Sequence, residues 1–258
     1  MNTFQILFKK EWLEAWRDKK LIWLPIAMAI LAISQPISLY YMPEILNAAG
    51  NLPEGTIIKI PVPTGEEVLS STLSQFGIIG TAIFILSVMG CISQERKSGV
   101  LHLLMTRPVE SIHYIGSKWL ANAVILIVSF IISYGLAYYY TNTLFNDVHL
   151  ERFVVSLIMY SCWIIFVMTV TVFIGTIFKK NGEISGITIF IVAMFVLCQS
   201  LFPKYMAWNP ASAMSSASSI LTNGKWENEY FITLGSSALF IIVLLALTMI
   251  QFKRYKSY

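Results

Sequence analysis

Six long apolar runs, separated by polar or charged stretches, dominate the pattern of the chain. Each run has about the 20 residues that an α-helix needs to cross roughly 30 Å of hydrocarbon. The pattern therefore predicts an all-α membrane protein in which a single transmembrane domain covers residues 1–258. The predicted spans, none of which contains Asp, Glu, Lys, Arg or His, are residues 21–41, 76–93, 119–140, 153–178, 184–202 and 231–252.

The segment before the first run has the pattern of an amphipathic helix. One side of a helical wheel collects the apolar residues, and Glu11 and Asp18 lie at the edge of that side. A helix of this kind lies flat in the membrane interface. The alternative is a solvated leader that only orients the first span. The apolar side consists of Phe4, Leu7, Phe8, Trp12, Ala15 and Trp16.

A second short helix is predicted between the second and third spans, where VLHLLM is flanked by Arg96, Lys97 and Arg107. With Ser98 as N-cap and Pro108 preventing continuation, it has about two turns. So short a helix is marginal in water, so another surface must cover it. Either it docks into a groove of a partner protein, with the flanking charges as a polar rim, or it packs against its own bundle and the lipid headgroups.

The two long outer loops give weaker signals. Residues 42–75 contain IIKIPVP, which is typical of an extended segment. Residues 203–230 contain Asn209-Pro210 followed by ASAMSSASSIL, whose small side chains permit close approach of helices. Each loop is predicted to be either a structured cap or a plain connector.

Composition and charge agree with a membrane location. The chain is 56% hydrophobic and only 12% charged, unlike a soluble globular domain. Of its 18 Lys and Arg residues, all but four fall in one set of loops. The positive-inside rule places that set in the cytoplasm, so we predict a multi-pass cell-membrane protein with both termini cytoplasmic. The four exceptions are Lys59, Arg152, Lys204 and Lys225.

The sequence offers no candidate for catalysis or for a bound cofactor or metal. The three Cys and three His residues lack the spacing of a metal site. No GxxxxGK[ST] motif is present to hold a nucleotide phosphate. An intramembrane enzyme would need a base or a metal at membrane depth, and the predicted spans supply neither. We therefore expect a protein that is not itself an enzyme and binds no cofactor.

The segment ERKSGVLHLLMTRPVESIHYIGSKWLAN carries a specific order of residues. It resembles the membrane subunits, or permeases, of ABC-2 type transporters, and the resemblance covers nearly the whole chain. FKKEWLEAWRDKK is similar to the interfacial elbow helix of that family, and Asn209-Pro210 to its turn between the last spans. Val100 departs from the family's usual Thr. The matching positions are Glu95, Arg96, Gly99, Leu103, Leu104, Pro108, Gly116 and Lys118.

The resemblance implies a short coupling helix that transmits ATP-driven motion. It further implies an exporter whose ATP and Mg are bound by a separate ABC ATPase subunit, together with a second permease copy, identical or related. Membrane lipid is the other expected partner, and nucleic acid is not one. The alternative function is a receptor or immunity protein that binds a peptide or lipid without transport. The expected ATPase-coupling residues are Glu95, Arg96, Gly99, Val100, Leu101, Leu103, Leu104, Arg107 and Pro108.

Overall fold

A computed structural model describes residues 3–48, 63–100, 110–203, 205–224 and 228–256 of the chain. The regular secondary structure of these residues is entirely helical. A five-residue π-helical turn, Phe76–Gly80, lies between the third and fourth helices. The α-helices are α1 (Thr3–Arg17), α2 (Lys20–Ala48), α3 (Gly65–Gln75), α4 (Thr81–Val88), α5 (Gly90–Lys97), α6 (Ser111–Leu144), α7 (Leu150–Ile177), α8 (Asn181–Leu201), α9 (Ser212–Asn223) and α10 (Asn228–Lys256).

Six helical stretches in the described part of the chain are long and apolar enough to cross a membrane, which confirms the predicted all-α fold with six spans. The second and third stretches begin earlier than predicted, at Gly65 and Ser111. The stretches are Lys20–Ile45, Gly65–Lys97, Ser111–Leu144, Leu150–Ile177, Asn181–Leu201 and Tyr230–Phe252. Most of the predicted short helix VLHLLM, and most of the predicted extended segment IIKIPVP, lie outside the described residues.

A capping box explains why the second span begins before its apolar run. The Thr64 hydroxyl accepts a hydrogen bond from the backbone N–H of Glu67 (3.4 Å), and the Glu67 carboxylate accepts one from the N–H of Thr64 (2.9 Å). These bonds satisfy backbone donors that a helix start otherwise leaves unpaired. The helix therefore starts in a polar stretch that the hydrophobic pattern assigns to the loop.

The second span is not a continuous α-helix, because α3 passes into α4 through the π-helical turn FGIIG. The Thr81 hydroxyl donates back to the carbonyl of Phe76 within this turn (3.4 Å). A Cβ on Gly77 would lie 2.5 Å from Met214 Cε of α9. The glycine therefore lets α9 approach the span closely.

The core of the bundle lies around α7. About 67% of the apolar window of its span is buried, compared with 17% for the fifth and sixth spans. Aromatic rings connect α7 to the second and third spans: Phe130 stacks on Tyr160 with the centroids 5.1 Å apart, and meets Phe76 edge to face at 5.6 Å. Because the fifth and sixth spans lie outside this core, they present most of their apolar surface outward.

The predicted loop 203–230 contains a packed helix and is not a plain connector. Its helix α9 packs against α7 and α3. Asn209, which is almost fully buried, donates to the carbonyl of Phe195 (2.8 Å) and accepts from the N–H of Ala211 (2.9 Å). This side chain holds the turn before α9 against the fifth span. The small residues of the run permit the close packing.

Gly224 ends α9 in the left-handed region, with φ 64°, and donates its N–H to the carbonyl of Ile220 (3.1 Å). A Cβ at this position would lie 2.6 Å from the Arg152 guanidinium, which bonds the Leu221 carbonyl at 3.4 Å. We expect Gly224→Ala to cost about 1 kcal/mol or more, because it strains the backbone and displaces Arg152. The unfolding temperature measured in detergent should then be roughly 2–4 °C lower than that of the wild-type chain.

The matched control is Gly182→Ala, which adds the same methyl group in the first turn of α8, where φ is not positive and nothing lies within 4 Å. That variant should unfold at the wild-type temperature or slightly above it. Equal unfolding temperatures for the two variants would contradict the proposed strain at Gly224.

Candidate functional site

One face of α1 packs against the start of α6 at one end of the bundle. Its buried residues are Leu7, Glu11 and Ala15, which follow one another at intervals of four and so share a face. Trp12 and Trp16, predicted on the apolar side, are 40% and 60% exposed. Glu11, which the pattern places at the edge of that side, is therefore at the centre of the contact.

A buried lysine of α6 is the partner of Glu11. Lys118 is fully buried, and its Nζ lies 2.8 Å from Glu11 Oε1 and 2.9 Å from Glu95 Oε1 of α5. The same Nζ lies 5.3 Å from the ring centroid of Tyr114, one helical turn earlier. Because burial of an unpaired ammonium group is very costly, both carboxylates are needed to keep Lys118 in the interior.

Glu95 is the junction of this cluster. Its side chain is almost fully buried, accepts hydrogen bonds from Lys10 and the Tyr114 hydroxyl, and forms an ion pair with Lys118. The ring of Tyr114 stacks on Phe252 of α10, with the centroids 4.7 Å apart. We call Lys10, Glu11, Glu95, Tyr114 and Lys118 the charge cluster. It joins α1, α5 and α6 directly and reaches α10 through the aromatic stack.

Three carboxylates of this region, those of Glu11, Glu14 and Glu95, have oxygens within 4.8 Å of one another. Such a group resembles a cation site, and ammonium groups lie against it. Lys10 Nζ lies 3.2 Å from Glu11 and 3.3 Å from Glu14, in addition to its contact with Glu95. Lys10 and Lys118 together supply the positive charge that neutralises carboxylates at this spacing.

A polar cavity of about 190 Å³ lies beside the charge cluster, between α1, α2, α5 and α6. Glu11, Asp18, Lys20 and Asn122 are among the residues that line it. The Lys20 ammonium donates to the side-chain carbonyl of Asn122 (2.6 Å), which links the start of the first span to the third. Polar contacts thus connect this end of the first span with the charge cluster.

Arg96 connects α5 to the end of α7. Its guanidinium donates to the carbonyls of Thr176 (2.9 Å) and Phe178 (3.2 Å) at the C-terminus of that helix. These carbonyls carry the partial negative charge of the helix dipole, so a cation is favourable there. The Arg96 and Glu95 side chains are thus both held within the chain, whereas the sequence indicated a rim facing a partner.

The remaining predicted coupling residues that the structure describes, Gly99 and Val100, directly follow α5 and are exposed. The prediction of Ser98 as an N-cap was wrong, because Ser98 is the C-cap of α5 and Gly99 follows in the left-handed region, with φ 74°. This pair is a typical helix stop. Val100 is 37% exposed. The other predicted residues, Leu101, Leu103, Leu104, Arg107 and Pro108, lie outside the described residues.

The main residues that sequence reasoning did not bring together are Lys10, Glu11, Tyr114 and Lys118. The position of Lys118 did indicate a carboxylate partner, because Lys118 immediately precedes a span without charges and a buried lysine requires carboxylates. Glu11 also has the spacing of Leu7 and Ala15 on α1. The sequence does not indicate which of the 14 Asp and Glu residues pairs with Lys118.

The six spans and the folded charge cluster at one end define a multi-pass membrane protein with helices tied together at that end. Comparison with known protein families matches residues 5–256 to the family described as ABC-2 family transporter protein. The chain belongs to this family, whose members are membrane components of transporters. It is also 45% identical, over the full length of both chains, to the uncharacterized transmembrane protein YxlG of Bacillus subtilis (strain 168).

Proposed function

We propose that the chain is the permease subunit of an ATP-driven exporter. In this proposal a separate ABC ATPase binds ATP and Mg and docks on the segment between α5 and α6. Both termini and this segment are cytoplasmic, and two permease copies enclose the transport path. The chain contributes the membrane path and the docking segment, and the ATPase contributes the energy.

The observation that carries the proposal is the position of the charge cluster. Glu95 lies at the end of α5, before the proposed docking segment, and Tyr114 and Lys118 lie in the first turns of α6, after it. The ion pairs therefore hold the helices on both sides of the segment together with α1. Movement of the segment would be transmitted to the membrane spans through α1, α5 and α6, which the ion pairs connect.

Further contacts extend this path into the bundle. Arg96 ties α5 to the C-terminus of α7, the most buried span, and Tyr114 stacks on Phe252 of α10. Closely packed helices shift as units when one of them is displaced, because their interfaces have low compressibility. We infer that ATP-driven movement of the segment shifts α1, α5 and α6 together against the outer spans.

The test is to co-express the tagged chain with the ABC ATPases of the same organism and purify it in mild detergent. The expected result is that the chain retains one ABC ATPase and that the complex hydrolyses ATP. The chain purified alone should show no hydrolysis above background, because it lacks a phosphate-binding loop. Failure to retain any ABC ATPase would favour the receptor or immunity alternative, and hydrolysis by the isolated chain would overturn the proposal.

A further inference from the structure

The bend between α1 and α2 has an unusual residue at its centre. Lys19 is the only non-glycine residue in the described ranges with a positive φ, 55°. Its N–H donates to the carbonyl of Trp16 (3.0 Å), and its own carbonyl accepts from the N–H groups of Ile22 and Trp23 (both 3.0 Å). Lys19 therefore closes the end of α1 and begins α2 in a left-handed conformation.

Glycine is the residue that adopts this conformation without steric cost, and it is the usual choice at a helix end of this kind. A lysine there is strained, and the backbone bonds that hold the bend do not need its side chain. The side chain is exposed. A strained residue with an exposed charge indicates that the charge has a use at this position.

The surroundings of Lys19 identify what the charge faces. On α2, Ile22, Ile26 and Ile30 follow one another at intervals of four and so share a helical face, which begins three residues after Lys19. They are 48%, 54% and 67% exposed, and form an apolar stripe along the first span. Because α2 crosses the membrane, this stripe lies against lipid tails. Lys19 thus lies at the head of a lipid-facing surface, where lipid headgroups are found.

Neighbouring side chains suit an anionic headgroup. Trp16 and Trp23, on either side of the bend, are 60% and 41% exposed, and indole rings favour the headgroup layer. Arg17 is exposed as well and adds a second cation. The intervening Asp18 is also exposed, and it lines the polar cavity beside Lys20. Two cations and one acid leave the exposed bend with a net positive charge.

We propose that the α1–α2 bend is a binding site for the headgroup of an anionic phospholipid, with Lys19 as its main cation. The site rests on the proposed orientation, since the cytoplasmic leaflet is the one rich in anionic lipid. The exposed cations and indole rings beside the isoleucine stripe favour an anionic lipid over a second permease copy as the occupant. Binding there would fix the angle between α1 and the first span.

The test uses the purified chain in dodecyl maltoside, to which phosphatidylglycerol or phosphatidylcholine is added while thermal unfolding is measured. Phosphatidylglycerol should raise the unfolding temperature of the wild-type chain, whereas phosphatidylcholine and free glycerol phosphate should not. Lys19→Gly should unfold about 2 °C higher without lipid, because the strain is relieved. It should need about fivefold more phosphatidylglycerol for half of the lipid effect.

Matched variants separate charge from backbone. Lys19→Asn removes the charge in a residue that tolerates the left-handed region, and should behave like Lys19→Gly towards the lipid. Lys180, at the start of α8, has a side chain that is 80% exposed. Lys180→Gln removes its charge and should leave unchanged the phosphatidylglycerol concentration that gives half of the lipid effect, the lipid midpoint. An unchanged midpoint in Lys19→Gly would overturn the site. Loss of ATPase retention by Lys19→Gly with an unchanged lipid midpoint would instead identify a protein contact.

Orientation is checked separately with single cysteines at Asn223 and Lys180, both exposed, in a chain whose three native cysteines are replaced. An impermeant thiol reagent should label position 223, and not position 180, in intact cells. The reverse pattern would contradict the proposed orientation without changing the phosphatidylglycerol titration in detergent. Failure of the lipid site and failure of the proposed orientation are therefore distinguished by different measurements.

Discussion

Lys118→Met should strongly destabilise the protein. The substitution removes the ammonium group that lies between Glu11 and Glu95 and leaves buried carboxylates with too few cations. Removing one partner from a buried ion pair costs about 3–5 kcal/mol, because the remaining charge stays desolvated. The unfolding temperature in detergent should fall by roughly 10 °C, and the yield of folded protein should fall with it.

A second substitution shows whether the loss comes from unpaired charge. In the double variant Lys118→Met with Glu11→Gln, one of the two carboxylates that lost Lys118 becomes neutral, so Lys10 faces less excess negative charge and part of the stability should return. Lys180→Met, at an exposed lysine that pairs with Glu183 at 3.5 Å, should have little effect. If Lys118→Met unfolds at the wild-type temperature, the charge cluster does not hold these helices together.

Leu104→Asp should weaken retention of the ATPase at least tenfold while leaving the six spans inserted. Leu104 lies in the middle of VLHLLM, the apolar segment too short to span, which the proposal places in a groove of the ATPase. A carboxylate buried there without a partner costs at least about 1–3 kcal/mol, and 1.4 kcal/mol is already a factor of ten. The measurement is the amount of ATPase that co-purifies with equal amounts of each permease variant.

The control for this change is Gly182→Asp, which introduces the same carboxylate at an exposed position in the first turn of α8. An acid is favourable at a helix N-terminus, so stability and ATPase retention should both be preserved. Equal retention by wild-type and Leu104→Asp permease would move the docking site away from VLHLLM. The proposed role of the segment would then be wrong even if the chain still bound an ATPase elsewhere.

The six spans could be predicted from sequence because each is a property of one continuous apolar run. Helix ends were harder to predict where polar side chains extend a helix beyond its apolar run. Thr64 and Glu67 start the second span early, and Lys118 lies inside the third because carboxylates neutralise it. Hydropathy records the cost of such residues in lipid but not the contacts that offset it.

The charge cluster could be predicted only in part, for a related reason. Its carboxylates come from α1 and α5 and its buried ammonium from α6, so its geometry depends on how three helices pack. The resemblance to ABC-2 permeases drew attention to Glu95 and Lys118 as separate positions. It did not indicate that the two side chains contact each other, or that Glu11 completes the group.

The π-helical turn at Phe76–Gly80 has a consequence for how this sequence can change in length. A π-helical turn holds one residue more than an α-helical turn. Deleting one residue there would restore α-helical geometry and leave the residues after it on nearly the same faces, because the wider turn already accommodates the extra residue. Deleting one residue from α4 would instead rotate everything after it by roughly 100°, the angle of one residue, and turn Glu95 away from Lys118, its partner at 2.9 Å. A one-residue deletion should therefore be tolerated better in the π-helical turn than in α4, where it should be as damaging as the loss of a charge in the cluster.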